Sequence, residues 1–384
     1  MDTKTAIERH EGRTRIRLRE AAGASWLPWL TGRAIVLAAL ALARYEVSHL
    51  HIQDQKAVAR AHSGLLGWDA GWYTNIAAHG YHAVGLQGLR FFPLLPVAAS
   101  LLHHITFLPV NAATLFIANG CGLAATMAIY LLARSEFGDA GRARTAAWLL
   151  NLVPAAFVTV MGYSDSLLIL LGVTCFYCLR HQRWWYAAGL GLLAGTARPI
   201  GCLLLVPALC EGARGIRSVG WSQRAQRAVA TVAPVVGLLA YLTWARIEFG
   251  SFIRPLSIQT NPRRHGGLTD PVVTFYHDVS NLIHGHHVGT DLHLPWVLLA
   301  VGLVVVVFRT LPVSYGVFSV AVIAASVSGS NLDSFERYAL NAFPLLLGAA
   351  TLMRSRRIEI AVLALSAVSM FGYALLAFLG AYVP

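Results

Sequence analysis

Apolar stretches separated by arginine-rich or aromatic-rich connections set the rhythm of this chain. Sought as runs of about 20 apolar residues, candidate spans fall at about 28–48, 112–133, 145–162, 164–180, 228–249, 293–310, 312–330, 338–353 and 358–380, with two half-length segments at 185–197 and 200–211. The pattern predicts an all-α, polytopic transmembrane helical bundle of about 10–12 membrane helices, some short or broken. It reads as a basic segment over 1–25 followed by one membrane domain over 26–384.

Two segments depart from a simple run of spans. Residues 91–108 are apolar enough to insert, yet counting them as a full crossing inverts every later loop. Pro93, Pro96 and the His103–His104 pair instead suggest a re-entrant or interfacial piece, allowed where protein buries it or it lines a cavity. In the 185–211 pair each half is too short to cross. Thr196-Ala197-Arg198-Pro199-Ile200-Gly201 separates the halves, with Pro199 suited to the first turn of the second half. Broken helices of this kind turn helix ends toward ligands inside membranes.

Charge then gives orientation. Only 12% of residues are charged and 56% are hydrophobic, against about 25% charged in a soluble domain. A soluble enzyme, a disordered chain and a disulfide-stapled module are thereby excluded. Lys4, the five N-terminal arginines and the clusters Arg134/Arg142/Arg144, Arg180/Arg183, Arg214/Arg217/Arg224/Arg227, Arg309 and Arg354/Arg356/Arg357 hold 19 of the 30 cations. If these lie in the cytoplasm, the N-terminus is cytoplasmic and the first span is a signal anchor. The loops 49–90 and 250–292 are then extracytoplasmic. The net charge of +12 needs no nucleic acid, since no basic stripe is interleaved with exposed aromatics. All five cysteines lie in apolar runs and read as small buried hydrophobes.

The unusual polar residues gather on the predicted outer side. Asp69 sits among Trp68, Trp72 and Tyr73, a partly desolvated carboxylate suited to general-base work, or an incidental acid in an interfacial aromatic belt. Asp165, between Ser164 and Ser166 and after Tyr163, fits a helix first turn as well as a site. Arg198, between two half-spans, is costly unless it pairs or meets an anion. Arg337, between Glu336 and Tyr338, reads equally as phosphate ligand or interfacial cation. Arg33, Arg44 and Arg246 lie near span ends, where snorkelling explains them. His277, Asp278, His284, His286, His287, Asp291 and His293 lack metal-site spacing and read as a solvated loop, so no metal is expected.

Trp68-Asp69-Ala70-Gly71-Trp72-Tyr73, Ile76-Ala77, Gly80-Tyr81 and Phe91-Phe92-Pro93-Leu94, followed by Pro154, Tyr163-Ser164-Asp165-Ser166, Arg198-Pro199-Ile200-Gly201 and Arg337-Tyr338, together resemble the PIG-V family of membrane mannosyltransferases. The family commonly has Ser-Glu-Ser where this chain has Ser164-Asp165-Ser166. The resemblance implies a GT-C fold, a polyprenyl-phosphate-mannose donor, and a glycan, glycolipid or glycoprotein acceptor on the extracytoplasmic face of the cell membrane, as in a bacterial relative. It implies Asp69 as catalytic base, Arg198 and Arg337 as donor-phosphate ligands, and Trp68, Trp72, Tyr73, Tyr163, Ser164, Asp165 and Tyr338 as substrate-binding or supporting residues. The polyprenyl tail would lie in a groove between helices. No nucleotide and no cofactor is called for. A GT-C enzyme using another polyprenyl-phosphate sugar, or a flippase for a lipid-linked sugar, is the alternative.

Overall fold

The computed structural model describes residues 3–50, 54–258, 267, 269–270, 273, 276, 280, 293–329, 332 and 334–383, with side chains from residue 18 onward. Among the described residues every regular element is helical, as the apolar pattern predicts.

The basic segment and the first span are one rod, α1 (Thr3–His49). Helix α2 (Gln55–Ser63) and α3 (Asp69–Val84) follow, then the short α4 (Leu94–Thr106) and the long α5 (Val110–Phe137). Tyr130 donates to Glu20 at 2.6 Å and Arg33 donates to Asn119 at 3.0 Å, so α1 and α5 run antiparallel. Helix α4 has 13 residues, about 20 Å at 1.5 Å per residue, short of the ~30 Å hydrocarbon core. It leaves from beside the aromatic cluster of Tyr73, Phe91 and Phe92 and reverses at Phe107 (φ 58) to start α5.

Two expected spans are interrupted, each at a proline. Over 145–162, α6 (Ala140–Leu152) stops short and a 3₁₀ turn, Pro154–Thr159, follows. Proline lacks an N–H and drives its predecessor to extended backbone, as Val153 shows (φ −56, ψ 150). Over 338–353, Pro344 separates two short helices, Phe335–Leu340 and Pro344–Leu352. Between these regions run α7 (Asp165–Arg180), α8 (Trp184–Ala197), the 3₁₀ turn Pro199–Leu204, α9 (Leu205–Ala213), α10 (Trp221–Phe249) and the single turn α11 (Arg254–Ser257). Further along the chain come α12 (Leu294–Thr310), α13 (Val313–Ser326), α14 (Phe335–Leu340), α15 (Pro344–Leu352) and α16 (Arg356–Phe378).

Among the described residues four helices are long and apolar enough to cross a membrane: Leu18–His49, Val110–Phe137, Trp221–Phe249 and Arg356–Phe378. At most 39% of each span's most apolar stretch is buried in protein, and Leu37, Val236, Leu239, Leu365 and Val368 stand exposed on their flanks. Such a surface suits lipid, in which backbone polar groups are satisfied within each helix.

Helix α8 is held against α10 by small residues. A Cβ on Gly195 would meet Pro234 O at 2.1 Å, and one on Gly237 would meet Leu192 O at 2.0 Å. Gly191 and Gly195 thus form a small-xxx-small seam that lets two backbones touch. The seam ends three residues before Arg198 and fixes where the break in the chain falls. Gly195→Ala is expected to push these helices apart, because the obstructing atoms are backbone. Thermal unfolding in detergent should show a loss of about 1–3 kcal/mol, the scale of overpacking.

Candidate active site

Four residues far apart in sequence meet at one end of the bundle, each from a helix start, a break or a short helix. Asp69 opens α3, Asp165 opens α7, Arg198 is the extended residue between α8 and its 3₁₀ continuation (φ −160, ψ 154), and Arg337 lies in α14. Asp165 is fully buried. Its Oδ1 accepts from Arg198 Nη1, and its Oδ2 accepts from Arg337 Nε at 3.0 Å and Nη2 at 2.9 Å. Arg337 Nη1 then reaches Asp69 Oδ2 at 2.6 Å. One chain of charges, Arg198–Asp165–Arg337–Asp69, results. Carboxylates at the first turns of α3 and α7 also face the positive ends of those helices.

Asp165 therefore does more than sit in a first turn. Ser164 makes no side-chain cap; its Oγ shares a 2.7 Å hydrogen bond with Tyr73 OH. Burial pushes the Tyr73 phenol up to about 12, so it stays a neutral partner. The Tyr163 ring lies under Arg337, 4.3 Å from Cζ to centroid, and its hydroxyl accepts the Asp69 N–H at 3.4 Å. Tyr338 lies 5.4 Å from the Arg198 guanidinium. Burial opposes the Arg337 charge, but Asp165 and Asp69 hold its guanidinium well above the ordinary range.

The approach to Asp69 is strained. Trp68 has φ 55 and Ser334, three residues before Arg337, has φ 63, conformations an L-residue adopts only when its surroundings require them. Trp68 is pinned by its indole N–H, which donates to Ala377 O at 3.0 Å, and by Arg60 stacked over its ring. Glu336 is pinned by His293 Nδ1 at 2.6 Å and by Tyr382 OH at 3.0 Å.

Arg90 joins the site without having stood out in the sequence. Its Nη2 is 3.9 Å from Asp69 Oδ1, its guanidinium lies 4.4 Å from the Phe91 ring centroid, and its buried Nε has no hydrogen-bond partner. A signal was present: Arg90 is a cation in a loop assigned to the outside, immediately before Phe91-Phe92-Pro93.

Arg33 corrects the snorkelling reading. It is buried and donates to Asn119 Oδ1, Asn151 Oδ1 and Thr159 O at 3.0, 3.0 and 3.1 Å, tying α1 to α5, α6 and the turn that leads to Asp165. His293 is likewise buried, not solvated. His277, Asp278, His284, His286, His287 and Asp291 lie outside the described residues. Among the described residues no three His, Cys, Asp or Glu side chains converge as metal ligands. The predicted inner face is not featureless either. There Arg180 bridges Glu136 at 2.8 Å and Glu211 at 3.3 Å, with Tyr315 and Ser314 donating to the same carboxylates.

The sequence profile of the mannosyltransferase (PIG-V) family matches residues 35–228, a stretch holding Asp69, Arg90, Asp165 and Arg198. The chain belongs to this family, and its long apolar helices suit a multi-pass membrane protein. No curated protein matches it. Among solved structures it is similar to the oligosaccharyltransferase of Archaeoglobus fulgidus. With the form tethered to an acceptor peptide, identity is 13%, TM-score 0.43, and coverage 92% of this chain and 56% of that one. With AglB from the same organism, in complex with an inhibitory peptide and a dolichol-phosphate, identity is 12%, TM-score 0.40, and coverage 94% and 57%. The chain thus spans just over half the length of those proteins.

Removing one partner of a buried ion pair typically costs about 3–5 kcal/mol. Asp165→Asn should therefore lower the unfolding temperature markedly, since Arg198 would lose its carboxylate. Asp69→Asn should shift it far less, because Arg337 keeps Asp165. Thermal unfolding of the two purified variants side by side checks the ordering; equal shifts would mean that Asp165 does not anchor the cluster.

Proposed function

We propose that the protein transfers mannose from a polyprenyl-phosphate-mannose donor to a hydroxyl of a lipid-linked or other glycan acceptor, at the extracytoplasmic face of the cell membrane. The observation that carries this is the charge of the cluster. Three guanidiniums, those of Arg90, Arg198 and Arg337, gather around Asp69 and Asp165. A sugar phosphodiester carries one negative charge. The cluster is built to receive it.

Asp69 is the base. Its Oδ2 is oriented by Arg337, and Oδ1 faces Arg90 across a 3.9 Å gap. The acceptor oxygen attacks the anomeric carbon from the side opposite the phosphate, and its proton passes to Asp69. The carbon–oxygen bond to phosphate breaks with its electron pair staying on the phosphate, so configuration inverts. Arg198 retains N–H groups beyond the one given to Asp165 and stabilises the leaving phosphate directly. Arg337, whose N–H groups go to carboxylates, contributes its charge. Preorganised charge of this kind is often the largest catalytic contribution. Trp68, Trp72, Tyr73, Tyr163, Ser164, Asp165 and Tyr338 shape and support the site.

Asp69→Asn should reduce transfer from labelled polyprenyl-phosphate-mannose by about 10²–10⁴-fold in folded protein; retention of more than about a tenth of activity would count against Asp69 as base. Arg198→Ala should weaken donor binding, and unchanged donor affinity would remove it from the phosphate site. For topology, cysteines placed at Ala78 and Ser218 in an otherwise cysteine-free chain should differ. Impermeant reagent outside the cell should label only the first.

A further inference from the structure

A second feature of α3 is unused by the reaction. Trp68, Gly71, Trp72, Asn75, His79, Ala83 and Val84 line a cleft of about 530 Å³. These positions, spaced three or four apart, share one helix face, and the chain kinks at Gly80 (φ 77) before Ala83 and Val84 close the far end. The volume lies in the range of small-molecule sites, about 300–1,000 Å³.

Its chemistry is that of a sugar site. Each indole has one face backed by protein: Trp72 stacks on Phe91 with an interplanar angle of 14°, and Trp68 lies against Arg60. Both indoles also line the cleft, aromatic groups of the kind that pack against the C–H face of a pyranose. Asn75 and His79 are exposed along the same wall and make no side-chain hydrogen bond among the described residues. An amide offers two donors and an acceptor, and a neutral imidazole one of each, a set matched to vicinal hydroxyls. The cleft also adjoins the reacting carboxylate. Asp69 follows Trp68 directly, and Arg90 sits between them, 3.9 Å from Asp69 and 5.8 Å from the Trp72 ring.

We propose that this cleft is the acceptor subsite and binds a pyranose ring of a glycan acceptor, with Trp72 and Trp68 as stacking surfaces and Asn75 and His79 reading its hydroxyls. The inference rests on the mannosyltransfer reading only for the direction of the reaction, since binding can be measured without turnover. The donor phosphate lies toward Arg198, and the acceptor enters from the α3 side, so the two meet at Asp69.

Saturation-transfer NMR on purified protein tests it, with methyl α-mannopyranoside, methyl α-glucopyranoside and methyl α-galactopyranoside as probes and a detergent free of sugar. At least one should take up saturation on its ring C–H protons. Asn75→Ala and His79→Ala, both at exposed positions that leave the fold intact, should each weaken binding about tenfold, the scale of one lost hydrogen bond. Asp69→Asn, which removes the base but leaves the cleft in place, should still give saturation on the probe. Absence of saturation from all three probes, or binding undiminished in both the Asn75 and His79 variants, overturns the proposal. Transfer surviving in Asp69→Asn would instead defeat the mannosyltransfer reading while leaving probe binding unaffected, so the two failures are distinguishable.

Discussion

A carboxylate with no exposure to solvent, held between two guanidiniums, is the constraint on which this end of the molecule depends. Asp165 cannot stay ionised without Arg198 and Arg337, and neither arginine could sit so deep without it. Because both its oxygens are used, the angle between the two arginines is set. Arg337 in turn sets Asp69 Oδ2. The Asp69 carboxylate is thus positioned by a relay that starts from the buried Asp165. The Asp165 carboxylate meets both partners because the break at Arg198 and the short α14 bring them close.

Much of this was legible from residues alone. A chain so poor in charge reveals its functional charges by scarcity, and Asp69, Asp165, Arg198 and Arg337 were each conspicuous as costly groups beside apolar runs. The all-helical bundle and the break at Arg198 follow from run length and from Pro199. What stayed hidden was pairing. Nothing in sequence says that Arg337 reaches Asp69 across 268 positions, or that Arg33 finds amides and a carbonyl instead of the membrane surface. Hydropathy also read through Pro154 and Pro344, because apolar residues continue past both prolines although the helices do not. Arg90 was masked by the motif it precedes.

The molecule uses its prolines and glycines in opposite ways. Pro154, Pro199 and Pro344 interrupt helices where the chain must deliver a side chain sideways into the bundle. Gly191, Gly195 and Gly237 let α8 and α10 come into backbone contact, so the interruption at Arg198 has a rigid support. The two carboxylates arrive at helix starts and the arginines from a break and a one-and-a-half-turn helix. Short elements cluster where chemistry is expected, and long ones carry the membrane surface.

The pinning of Trp68 by Ala377 has a consequence for biogenesis. The segment bearing Asp69 is synthesised some three hundred residues before the helix that holds its neighbour in place, and Asp165 well before Arg337. During synthesis these acids must wait in a half-built bundle, open to water or shielded by the insertion machinery. Trp68 therefore gains this hydrogen bond only once α16 has docked. A premature stop in that helix would leave the charge cluster's own residues present while the indole beside Asp69 lost its anchor.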